Sequence, residues 1–133
     1  MKRIKTILFS IAISSVAAVG LSATPGPNTS ISHSIFGGTY SKTGCLTRAE
    51  ATIRNYLRIH GGYGLSTAKG DDWIVVGWNV EPGSVDVVFT CADAVAKESI
   101  GNAYVSFHAT GANAKANIKT TRERLVTIWS MSK

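Results

Sequence analysis

Residues 73–91, WIVVGWNVEPGSVDVVFTC, decide the fold. Two runs rich in Val, Ile, Trp and Phe, residue types that suit a pleated surface, flank Glu81-Pro82-Gly83-Ser84. In that tetrapeptide Pro presets φ and Gly supplies conformational freedom, so it reads as a turn and the whole stretch as a β-hairpin. With Val80 set opposite Val85, Trp78 faces Val87, Val76 faces Phe89 and Ile74 faces Cys91. All eight are apolar once Cys is counted as a small hydrophobe, so this side of the hairpin is expected to be the core side.

Working outward, Thr47 followed by Glu50 has the spacing of a capping box, and Leu46, Ala49, Ile53, Tyr56 and Leu57 recur at helical intervals. The spacing predicts a helix from Thr47 to Ile59 or His60, stopped by Gly61-Gly62. Arg48, Arg54 and Arg58 are read as its solvated face. A short strand is expected at Leu65 to Ala68, with a turn at Lys69 to Asp72. Beyond the hairpin, residues 92–102 read as an irregular or short helical connection, and Ala103, Val105, Phe107 and Ala109 alternate with Tyr104, Ser106 and His108 as a half-buried strand. After Gly111, the stripe Ala114, Ile118, Thr121, Leu125, Ile128 and Trp129 predicts a second helix to Met131. With a short strand at Ile31 to Phe36, the order predicts an α+β two-layer sandwich: an antiparallel sheet of four to five strands with two helices on one face.

The N-terminus reads differently. Lys2, Arg3 and Lys5 precede Ile7 to Leu21, an uncharged apolar run closed by small residues, which is a secretory signal pattern. A spanning helix needs about 20 apolar residues, more than this run supplies. The expected organisation is a signal peptide at 1–23, a flexible segment at 24–40 containing the short strand, and one domain at 41–133. The full chain has 133 residues, 14 Lys plus Arg, 8 Asp plus Glu and a net charge of +6. Removing the leader leaves 110 residues and eleven basic against eight acidic side chains, a net +3. That excess is too small and too dispersed for a phosphate-backbone binder, so no nucleic-acid partner is expected.

Cys45 and Cys91 are the only cysteines. In an exported chain they are expected to form one disulfide, since neither C-x-x-C spacing nor a histidine at ligand spacing accompanies them. Export and this bridge place the protein in the periplasm or outside the cell.

Few residues suggest chemistry. His33, His60 and His108 are the candidate acid-base groups, and a ribonuclease would need two to converge on one phosphate beside Arg54, Arg58 or Lys115. His60-Gly61-Gly62 has the letters of an esterase oxyanion loop but follows a helix, and no G-x-S-x-G elbow exists. Asp71, Asp72 and Asp86 do not form a calcium loop, and no phosphate or dinucleotide motif is present, so neither metal nor cofactor is expected.

The predicted register leaves Trp73, Val75, Gly77 and Asn79 on the outer side of the sheet, joined by Val88, Thr90, Tyr104, Ser106 and His108. Few charges fall there, unlike the usual wet face of an antiparallel sheet. Such a surface suits a protein partner, self-association, or cover by residues 24–40. The expectation is an exported binding protein, such as an inhibitor, immunity or envelope accessory protein, docking through Trp73, Val75, Val88, Tyr104 and His108. The alternative is a small secreted ribonuclease using His60 or His108. Intact mass of the secreted product should correspond to a chain beginning at Thr24, two hydrogens lighter than the reduced form; a product retaining residues 1–23 contradicts the leader.

Overall fold

A computed structural model describes residues 29–39, 41–70, 73–91 and 103–132. The leader expected at 1–23 and the connection expected at 92–102 lie outside the described residues. Those described form β1 (Thr29–Phe36), α1 (Lys42–His60), β2 (Gly64–Lys69), β3 (Trp73–Val80), β4 (Val85–Cys91), β5 (Ala103–Thr110) and α2 (Ala114–Met131). The strands make one antiparallel sheet in the order β1-β5-β4-β3-β2. Helix α1 packs on β3 and β2, and α2 on β1 and β5, so both cover one face of an α+β sandwich.

The helix side of the sheet supplies the core. Val75, Val85, Val87, Phe89, Cys91, Val105 and Phe107 are buried against Leu46, Ile53 and Tyr56 of α1 and Ile118, Leu125 and Trp129 of α2. Each buried Val, Leu, Ile or Phe side chain contributes on the order of 1.5–3 kcal/mol.

One irregularity resets the hairpin. The β3–β4 ladder pairs Trp73 with Cys91, Val75 with Phe89 and Gly77 with Val87, and then Val80 with Val85. Trp78 and Asn79 therefore stand against the single residue Asp86, a β-bulge. Asn79 takes φ +45°, and its amide donates to Asp86 Oδ1 at 2.9 Å. The extra residue reverses side-chain parity, so Trp73 and Val75 face the helices, while Ile74, Val76 and Trp78 face the open side. This corrects the register expected from unbroken alternation. Val80 returns to the core beyond the bulge.

Helix α1 begins earlier than expected. Ser41 is its N-cap, accepting from the Gly44 amide at 3.0 Å, a cap contributing about 1 kcal/mol. Thr47 and Glu50 form no capping box, because both already lie inside the helix; Glu50 Oε1 instead accepts from the Thr67 hydroxyl at 2.7 Å. Cys45 consequently sits in the first turn of α1, bonded to Cys91 at the end of β4 with Cα atoms 5.7 Å apart.

Arg48 is also not a solvated residue. Its Nε and Nη2 donate to Trp129 O at 3.1 and 2.6 Å, and Nη1 donates to Gly38 O at 3.1 Å. The guanidinium lies 4.5 Å from the Trp129 ring centroid. Trp129 Nε1 donates to Gly37 O at 2.9 Å, so one Arg–Trp pair ties the last turn of α2 to α1 and to the segment after β1.

The disulfide closes a separation of 46 residues. Chain-entropy reasoning assigns such a loop about 4 kcal/mol, a large share of an ordinary domain stability of roughly 5–15 kcal/mol. Cys45→Ala with Cys91→Ala should lower the unfolding free energy by about 2–4 kcal/mol in urea melts; unchanged stability would show that packing alone holds α1 on the sheet.

Candidate functional site

With the helices on one side, the opposite side of the sheet is uncovered by any described element. Three cross-strand rows define it. The first runs Ile35, Tyr104, Thr90, Ile74, Ala68; the second His33, Ser106, Val88, Val76, Ser66; the third starts Ile31, His108, Asp86. Trp78 completes the third row, because the bulge turns it outward over β2, where its indole N–H donates to Ser66 Oγ at 3.0 Å.

The face is apolar where water would be expected. Ile31 is 64% exposed, Ile35 62%, Tyr104 54% and Trp78 40%. These large side chains sit toward both margins of the sheet, with half-buried Val88 and buried Val76 between them. Lysine and arginine are absent from the three rows, and Asp86 is their only carboxylate. Its Oδ1 is engaged by the Asn79 amide. Exposed aromatic and aliphatic side chains interspersed with small polar groups, one carboxylate and no lysine or arginine are what the centre of a protein–protein interface presents.

Of the residues expected to form this surface, Val88, Tyr104 and His108 are on it. Trp73 and Val75 are not. Val75 is fully buried beneath the helices, and Trp73 packs against the core with Lys42 Nζ and Lys69 Nζ at 5.5 and 5.0 Å from its ring centroid. Ile31, Ile35, Ile74, Val76 and Trp78 take their place. For Ile74, Val76 and Trp78 the signal is Gly77, since a glycine inside a strand marks a bulge or a close backbone approach. Here it marks both. A Cβ on Gly77 would meet Ile53 Cδ1 at 2.9 Å, so the bare backbone lets α1 settle onto β3 one residue before the bulge.

The histidines are divided between the two sides. His33 and His108 share the open face, where His33 Nδ1 lies 3.3 Å from Ser106 Oγ. His60 ends α1 on the helix side, its ring 4.8 Å from that of Tyr56. His60 and His108 therefore do not converge. Arg54 and Arg58 are on α1 and Lys115 on α2, so none of the three cations named for a phosphate site reaches the open face. Among the described residues no group of His, Cys, Asp and Glu has the arrangement of a metal site.

No family model, curated protein or solved structure matches the chain.

Partial burial first, and the Arg124 charge second, hold His60 below its ordinary titration range near pH 6.5. The unfolded chain thus takes up this proton more readily than the folded one. Its contribution to stability is intact above about pH 6.5 and declines as pH falls toward the folded value. His60→Gln should lose less stability than wild type between pH 7.5 and pH 5 in urea melts; equal losses would mean that His60 is not responsible for that slope.

Proposed function

We propose that this protein is a small exported binding protein that docks one protein partner through the open face of its sheet, in the manner of an inhibitor, an immunity protein or an envelope accessory factor. The observation that carries this reading is the exposure of Ile31, Ile35, Tyr104 and Trp78 on a face without lysine or arginine. Ile59, Tyr63, Val126 and Met131 are exposed elsewhere among the described residues, but the four on the open face share one cation-free surface, which a partner explains more economically than the fold itself.

Other features support export. The basic, apolar and small-residue run of 1–23 has the order of a signal peptide. The Cys45–Cys91 bridge is consistent with an oxidising compartment. No helix among the described residues is long and apolar enough to cross a membrane.

Tyr104→Glu tests the reading, because its side chain is more than half exposed and its loss leaves the core intact. The mature wild-type protein, immobilised and passed over envelope extract, should retain a discrete partner that the Tyr104→Glu form, folded by circular dichroism, binds at least about tenfold more weakly. Undiminished retention would remove the open face from the interface. RNA hydrolysis that is abolished by His108→Ala would replace binding with catalysis as the function.

A further inference from the structure

Strand β1 has an inverted pattern for an edge strand. Ser30, Ser32 and Ser34 lie on the helix side, opposite the buried Ala109, Phe107 and Val105, while Ile31, His33 and Ile35 lie on the open side. Its outer edge has no neighbouring strand among the described residues. Beside Ser30 and Ser32 a groove of about 610 Å³ separates β1 from α2. The helix wall of that groove carries Lys115, Lys119 and Arg122, which at i, i+4 and i+7 form one ridge. Among the described residues these three cations have no ion-pair or hydrogen-bond partner.

An unpaired strand edge is a template for another extended chain, through its free N–H and C=O groups. The first occupant to weigh is a second copy. Helix α2 packs over both β1 and β5. With strands about 4.8 Å apart, pairing two β1 edges would bring α2 to roughly 10 Å from its own image, a helix-packing distance. Full overlap of the two edges would set these cations beside the other copy's Ser34–Phe36 end, which Arg122 and Glu123 both border, whereas pairing centred on Ser30–Ser32 would set Lys115, Lys119 and Arg122 against the same three cations. Like charges so placed oppose self-pairing there and act as a guard on that half of the edge. Carboxylates in the same positions would be attracted.

We propose that the outer edge of β1, from Ser30 to Phe36, accepts an extended segment of another protein as a sixth strand, and that this segment alternates carboxylate and branched apolar side chains. The carboxylates project on the helix side, toward Lys115, Lys119 and Arg122. The apolar side chains project on the open side, beside Ile31 and Ile35. Glu123 and Val126 border the other end of β1, near Ser34 and Phe36, so the acidic preference belongs to the Ser30–Ser32 half. The proposal rests on the reading of the protein as a binding module and adds the chemistry of what it binds.

The test uses the mature protein and a fluorescent peptide of alternating Glu and Val, followed by anisotropy. Expected is saturable binding, weakened about tenfold or more by Lys119→Glu, and weakened again by 0.5 M salt on the order that screening of exposed charges allows. Of two versions of the peptide, N-methylated on one or the other set of alternate residues, only one should still bind, because a strand pairs through every second amide. Equal binding of a Lys–Val peptide or of a peptide with Glu and Val in separate blocks overturns the proposal. So does indifference to Lys119→Glu, or a dimer in sizing experiments that Ile35→Lys dissolves, which would assign the edge to a second copy. Absence of peptide binding, with the envelope partner still lost on Tyr104→Glu, sinks the strand-addition proposal alone. Peptide binding that obeys these controls, with the envelope partner retained by Tyr104→Glu, sinks the open-face reading alone.

Discussion

The bulge at Trp78–Asn79 is the constraint on which the two sides of this sheet depend. Without it, the β3–β4 ladder would bury Ile74, Val76 and Trp78 and expose Val75. With it, the residue under α1 is Gly77, and the helix comes close enough for Ile53 to rest on bare backbone. That approach suits the covalent link, because the first turn of α1 must bring Cys45 within 5.7 Å, Cα to Cα, of Cys91. The left-handed backbone of Asn79 and the Asp86 carboxylate that receives its amide hold the extra residue in place. Gly77 beneath α1, Val75 in the core and Trp78 on the open face are three expressions of one inserted residue, while the core side of β4, Cys91 included, is the same with or without it.

Much of the architecture is legible in the sequence because it follows from period and punctuation. Strand β3 ends at Val80 and β4 begins at Val85, on either side of a Pro-Gly turn, and α2 spans its apolar stripe from Ala114 to Met131. What is not legible is parity. On both sides of β3 the residues are apolar, so hydrophobicity alone does not choose a face, and Trp78 with its hydrogen-bonding indole tolerates either. Arg48 escapes for another reason: helical spacing places it on the polar side of α1, whereas its partners, the carbonyls of Gly38 and Trp129, come from elements distant in sequence. The Thr47–Glu50 pair shows the same limit. Its spacing fits a cap, but Ser41 upstream offers another, and the disulfide in the first turn goes with the longer helix.

The molecule separates its charge from its apolar surface. Among the described residues, arginine and lysine lie on the two helices and at the end of β2, while the open face carries none in its three rows. Strand β1 is where the two surfaces meet, with serines under a basic ridge on one side and isoleucines on the other. A ligand crossing that margin would touch cations and hydrophobic side chains within one strand width, which gives the edge more discriminating power than either surface has alone.

The ladder between β1 and β5 also sets an order of events. Its pairs join residues 67 positions apart at one end, Phe36 and Ala103, and 81 apart at the other, Thr29 and Thr110. Strands β2, β3 and β4 pair between near neighbours in sequence, so loop-closure entropy favours their meander over the β1 ladder. During synthesis from the N-terminus, β1 emerges first but has no strand to join until β5 is made, and α2 follows later still. The groove beside β1 therefore comes into being only when both ends of the chain have met, so a partially synthesised or truncated chain has no such edge to offer.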